Sequence, residues 1–286
     1  SVDMMPPDPE MQTRSPGEDN IDILNLKISY GYNYQYSRNA LQLNRRNGWF
    51  SEVGLYSNVF ATDWSWAPLW MDFDNDGLKD LFISNGIPKR LNDIDYINYI
   101  SDRSIQEDIV ANRINETDKK LIDKFPRIKI ANRFFKNAGG MRFEDIGATV
   151  NETLPTFSNG AVYADFDNDG DLDIVVNNID DKALLYQNTT NDANGRRADQ
   201  LILKGSSKNI NAVGAKVIVF AGNDLRMHEK YPVHGFLSSM EIPVHIGLGD
   251  RSADSVLLVW PDNTYQRITL NGGNRDTLTF TAALPE

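Results

Sequence analysis

Two stretches of this chain carry carboxylates at a spacing that can do chemistry. They are Asp72–Asp80 (DFDNDGLKD) and Asp165–Asp173 (DFDNDGDLD), and both follow D-x-D-N-D-G-x-x-D. In a tight turn, side chains at positions one, three and five converge on one centre. The glycine at position six permits positive φ, which turns a backbone carbonyl inward, and position nine closes the shell. The ligand set this predicts is Asp72, Asp74, Asp76, the carbonyl of Leu78 and Asp80 in the first loop. In the second it is Asp165, Asp167, Asp169, the carbonyl of Asp171 and Asp173. So many carboxylates within nine residues repel one another strongly unless a cation sits among them. Short oxygen ligands in that number suit a hard cation that takes six to eight of them, so two calcium ions are expected.

Other metal chemistries fit less well. An EF-hand needs a glutamate at position twelve and helices on both sides, whereas position twelve here is Ile83 or Val176 and the flanks read as strands. Zinc is disfavoured because the chain has no cysteine and because His228, His234 and His245 are expected far from the loops. A calcium ringed by carboxylates keeps few open positions and little net charge. The loops are therefore expected to brace the fold and not to catalyse, and no catalytic residue is nominated.

The elements that must position these loops form a repeat. The constant offset is 165 − 72 = 93, and it also maps Asn44 onto Asn137, Phe50 onto Phe143 and Gly54 onto Gly147. Each unit runs from an Asn-Gly type turn through a Phe-containing strand into the Asp loop. Leu184–Asn188 echoes Leu41–Asn44 and begins a third unit that stops. Ala164 and Phe166 before the second loop, and Ile174-Val175-Val176 after it, have the β-branched and aromatic character of strands. Between the units, at about 89–126, Tyr96, Ile97, Ile100, Ile105, Ile109, Leu121, Ile122 and Phe125 recur at helical spacing until Pro126. That segment reads as one to three short helices inserted at a loop. Trp64, Trp66 and Trp70 share one face of an extended segment, which suits packing between sheets more than sugar stacking.

After the polar stretch Asn188–Ala198 the pattern changes. Leu201–Leu203, Lys216–Phe220, Ser255–Trp260, Ile268–Leu270 and Thr277–Thr281 read as strands of a separate small β domain over 199–284, a sandwich or barrel. The expected architecture is all-β: partial propeller blades over 41–190 with the helical insert, then that domain. Residues 1–40 read as the tail of an upstream repeat. The chain opens on Ser1-Val2-Asp3, as a fragment whose export signal would lie further upstream.

Acidic residues number 40 against 29 basic, for a net charge of -11, which argues against a nucleic-acid partner. No apolar run is long enough to span a bilayer.

The two units resemble FG-GAP/VCBS repeats, the calcium-loop blades of integrin-type β-propellers, over most of residues 40–190. The segment GAKVIVFAGNDLRMHEKYPVHGFLSS…HIGLGDRSADSVLLVWPDNTYQRI resembles the ASPIC/UnbV domain. Together they are similar to the cartilage-acidic-protein-like family of secreted bacterial and animal proteins. One departure is Asn263, where that family favours glycine after Trp-Pro-Asp; asparagine also tolerates the left-handed region. The resemblance implies calcium binding, an extracytoplasmic setting (secreted, periplasmic or cell-surface), and adhesion to a protein or glycan partner. The alternatives are a polysaccharide lyase or hydrolase, and an accessory scaffold of an outer-membrane uptake system.

Overall fold

The computed structural model describes residues 1–15, 21–90, 92–111, 126–151 and 153–281. It is all-β; among the described residues short α-helices occur in the N-terminal segment, the insert and the link between the two halves, and one 3-10 turn follows the first sheet at Gly147–Thr149. The repeat appears as two meanders of the same plan. The first sheet joins β3 (Ser65–Met71), β4 (Asp80–Asn85), β5 (Arg133–Asn137) and β6 (Phe143–Asp145) in that order. The second joins β7 (Ser158–Ala164), β8 (Asp173–Asn178) and β9 (Leu184–Tyr186). The hairpin β1 (Gln42–Asn44) with β2 (Phe50–Glu52) stands 93 residues before the β5–β6 hairpin, as the offset predicts.

Register and bulge recur with the sequence. In both sheets the first pair is antiparallel and slips once near its start, between Ser65 and Pro68 and between Ser158 and Ala161. The same polar clamp closes that end: Ser65 Oγ donates to Asn85 Oδ1 at 3.0 Å and Ser158 Oγ to Asn178 Oδ1 at 2.7 Å. Each hydroxyl fills what would otherwise be an unsatisfied buried amide oxygen.

The main core lies between the two sheets, where Leu69, Met71, Phe82, Phe134, Ile174 and Val176 meet. A second cluster behind the first sheet joins Val59, Leu81, Ile83, Phe135 and Phe143, so β4 is buried on both faces and its sequence, DLFISN, does not alternate cleanly. Trp66 packs against Phe236 with ring centroids 4.6 Å apart, and Trp70 meets Phe143 edge-on at 5.7 Å. Trp66 and Trp70 thus do packing work between elements.

Among the described residues the insert holds two helices, α3 (Ile94–Ile100) and α4 (Arg103–Val110), with Asp93 capping the first through the N–H groups of Asp95 and Tyr96. Leu121, Ile122 and Phe125 lie outside the described residues. Where the insert leaves the sheet, Arg90 forms an ion pair with Asp63, and both side chains are almost fully buried. Among the described residues the helices α1 (Pro9–Arg14) and α2 (Ile21–Ser29) precede β1, where no helix was expected.

The second half has its own core, built on Leu201, Val217, Val219, Ile246, Leu258 and Trp260 between two sheets. One is antiparallel: β12 (Asp224–Glu229), β11 (Lys216–Ala221), β14 (Ser255–Val259), β15 (Tyr265–Ile268). The other is mixed, with β10 (Asp199–Lys204) antiparallel to β13 (Val244–Ile246) and parallel to β16 (Arg275–Thr279). Strands β10, β11 and β14 fall where expected, whereas β15 and β16 each begin earlier in the chain. The strands β12 and β13 are additions. Asn263 has φ of 67°, the left-handed turn conformation it was expected to tolerate.

Candidate metal centres

Both loops hang between the first two strands of their sheet, and their ninth residue is the first residue of the second strand. That residue is a brace in each repeat. Asp80 accepts the Phe73 N–H at 2.7 Å and the Asn137 N–H at 2.8 Å, tying the loop to the end of β5. Asp173 accepts the Phe166 N–H at 2.9 Å and the Asn188 N–H at 2.8 Å, tying its loop to the end of β9. The amides Asn137 and Asn188 return the contact by donating to the carbonyls of Lys79 and Leu172.

Within the first loop, Asp72, Asp74 and Asp80 bring one carboxylate oxygen each within 4.8 Å of one another. In the second loop the converging trio is Asp165, Asp167 and Asp169. Two acidic clusters that could hold a metal ion therefore exist where the spacing placed them. Asp76 stands outside the first trio, its carboxylate taken by the N–H of Leu78 at 2.7 Å. Asp173 stands outside the second. Asp171 was assigned a carbonyl role only, yet its carboxylate is fully buried, with Oδ1 unpartnered and Oδ2 accepting the Asn191 N–H.

The donor chemistry fits a hard cation. Asp74 Oδ1 and Asp165 Oδ1 are buried without a hydrogen-bond partner. Burial, followed by the charge of Asp80, pushes the Asp72 carboxyl up to about 7. Asp80 and Asp171 are also pushed up to about 7, chiefly by burial, and Asp173 is raised for the same reason. Carboxyls in such surroundings hold a proton or a cation far more readily than they stand bare.

The two loops differ in what covers them. Asn75, fully buried, donates its amide to Gly170 O, Asn191 Oδ1 and Arg196 O at 3.1–3.3 Å, while its Oδ1 meets His245 Nε2 at 2.7 Å. The carbonyl of Asn75 accepts the Gly249 N–H at 2.8 Å. A Cβ on Gly77 would lie 1.5 Å from Arg226 Nη1, and one on Gly247 would lie 2.2 Å from Asp72 Oδ2. The terminal domain is therefore pressed onto the first loop. The equivalent Asn168 is exposed, and its Oδ1 accepts from Arg275 Nη1 at 3.0 Å. Lys136 and Arg196 pair with Asp74 in the first loop, whereas Asp165 and Asp167 meet the neutral Gln200 and Gln187.

His245 corrects one expectation. It was placed far from the loops and instead touches the first: β13, paired with β10 in the second half, carries it to Asn75 across a sequence separation of 170. Among the described residues no histidine joins either acidic trio.

No helix among the described residues is long and apolar enough to cross a membrane. Comparison with curated proteins gives no match. Residues 205–283 match the family model described as ASPIC and UnbV, so the β domain that covers the first carboxylate loop is an ASPIC/UnbV domain.

Proposed function

We propose that each loop binds one calcium ion and that the chain is an extracytoplasmic interaction module braced by those ions. On this reading the two meanders are FG-GAP/VCBS blades of a propeller that the ASPIC/UnbV domain terminates. The observation that carries it is a converging carboxylate trio in each of two equivalent strand–loop–strand settings 93 residues apart, with Asp72 and Asp74 of the first matched by Asp165 and Asp167 of the second. Asp72, Asp74 and Asp80 would hold one ion and Asp165, Asp167 and Asp169 the other, with Asp76, Asp173 and the carbonyls of Leu78 and Asp171 in reach of the same turns. The ions' work is to replace the repulsion among these carboxylates with attraction, so that each turn keeps its register in a chain without disulfides. The partner is a protein or glycan at the cell surface.

Thermal unfolding with calcium and with excess chelator tests this. A ligand at a hundred times its dissociation constant stabilises by about 2.7 kcal/mol per site, so chelation should lower Tm by several degrees. An unchanged melting curve, starting from protein shown to be calcium-loaded, contradicts the proposal.

A further inference from the structure

The two meanders stack front to back, and the series leaves one front uncovered. On the front of the first sheet Leu69 pairs with Phe82 and Phe82 with Phe134, which makes one row across three strands. All three are buried in the core shared with the second sheet, where Phe134 meets Tyr186 edge-on at 5.1 Å. The same row exists in the second sheet. The offset of 93 carries Leu69 to Val162 and Phe82 to Val175, and Leu185, paired with Val175, takes the place of Phe134. Here the row faces outward: Val162 and Val175 are half-buried and Leu185 is 65% exposed.

Leu41 extends the series the other way. It stands 93 residues before Phe134 and packs against the cluster of Leu81, Ile83 and Phe135 on the back of the first sheet. Leu41, Phe134 and Leu185 therefore hold one position in three successive units, and the first two are each covered by the sheet that follows. A polar contact repeats the contrast. Ser84 Oγ donates across the stack to the carbonyl of Asn159, whereas its equivalent Asn177 is exposed. The solvent face of an antiparallel sheet is ordinarily polar, so an apolar row at a stacking register marks a surface built to be covered.

Part of that front is already taken. The loop Phe236–Ser238 of the terminal domain lies over its inner strand, where a Cβ on Gly160 would be 2.8 Å from Ser238 Oγ. Between this loop and the row lies an open recess of about 700 Å³, lined by Trp66, Val162, Val175, Ile179 and Leu237. The matching piece stands at the other end of the stack. Phe143 lies on the back of the first sheet, and its equivalent Phe50 lies on the back of the β1–β2 hairpin. With no earlier unit against it among the described residues, Phe50 is 60% exposed and its neighbour Trp49 74%. That hairpin is the outer half of a unit, and the outer half of the front is what the loop leaves open. Aromatic side chains are the usual anchors of such recesses.

We propose that this front docks the β1–β2 hairpin of a second copy, so that chains associate head to tail by repeating their own internal stacking. The proposal rests on the register of the repeat and goes beyond the calcium reading. The contact is heterologous: each copy offers one front and one back, so association continues until a ring closes or a filament grows.

Analytical ultracentrifugation of the calcium-saturated full chain, from low micromolar concentration upward, measures the mass. It should rise with concentration past that of a dimer. Leu185→Asp spoils the front and Phe50→Asp the back. Both positions are exposed, so each variant should melt like the wild type and stay monomeric. Mixed in equal amounts, the two variants should form a dimer and nothing larger, because only one intact front and one intact back remain per pair. A wild type that stays monomeric overturns the proposal and leaves the row to a different protein. Single variants that still associate overturn it too, as does a mixture that stays monomeric while the wild type assembles. Assembly of a chain shown to bind no calcium keeps this surface and removes the previous reading, and a calcium-loaded monomer does the reverse.

Discussion

The loops at Asp72–Asp80 and Asp165–Asp173 share a motif, a strand pairing and a brace, yet they live in different surroundings. The first is roofed by the ASPIC/UnbV domain and supplied with the protein's own cations, Lys136 and Arg196. The second is more open, with Asp167 exposed and neutral glutamines as its partners. Local sequence set the ligand pattern, and tertiary burial then divided two copies of it into a docking platform and an accessible turn. The Asn at position four shows the division best. It has φ of 55° in one loop and 63° in the other, but it is a buried hub in the first and a surface residue in the second.

The largest contrast should come from that residue. Asn75→Ala and Asn168→Ala incur the same left-handed backbone strain, so the difference between them isolates the contacts. Asn75→Ala should cost about 2–4 kcal/mol more in urea unfolding, because it strands several buried partners at once. Equal losses would mean that the hub carries no energy.

The pH dependence should come next. Asp72, Asp80 and Asp171 have folded values raised to about 7 from an ordinary 3.8. A raised folded value means stability that is present below the unfolded value and lost as pH rises through the folded one. In chelator, Tm should therefore fall between about pH 4 and 7 through these groups. Saturating calcium competes with the protons and should flatten or reverse the trend. A chelated protein that gains stability over this window, once other groups are matched in a variant with Asp72 and Asp171 changed to Asn, would refute the assignment.

Arg90→Met tests whether the insert is anchored as the first sheet requires. It leaves Asp63 buried and unpaired, and removing one member of a buried pair typically costs about 3–5 kcal/mol. The double change with Asp63→Asn should recover part of that loss, so its net effect ranks third. No recovery would mean that the pair does not act as a unit.

The smallest effect sharpens the comparison most specifically. Lys136→Met removes a half-buried ammonium that competes for Asp74, and its own pKa is raised by that contact. Calcium affinity of the first loop should rise a few-fold, within the ~1 kcal/mol of a partly exposed pair, and that of the second loop should not change. Site-resolved titration that shows both loops shifting together would break the contrast.

The sequence showed this repeat readily because its signals are local. The offset of 93 fixed β3 against β7, β4 against β8 and the hairpin β1–β2 against β5–β6, since loop, bulge and strand end all travel with nearby residues. What escaped has long-range causes. The strand β12, DLRMHE, is an edge strand whose charged residues hide any alternation, as edges are built to do. The segment VHI of β13 is too short to show a period. Nothing near Asn75 foretells Gly249 or His245, and nothing near Asp63 foretells Arg90. Asp171 is instructive in the other direction: its side chain sits in the motif, but a pattern reserving that position for a carbonyl hid its buried carboxylate.

Calcium counted per chain tests the central claim most directly. The protein is dialysed to equilibrium against excess calcium, and bound metal is measured for the wild type, Asp74→Asn, Asp167→Asn and the double variant. The account predicts two ions, then one, one and none. An unmodified, folded chain that retains none, or a double variant that still retains two, would contradict it.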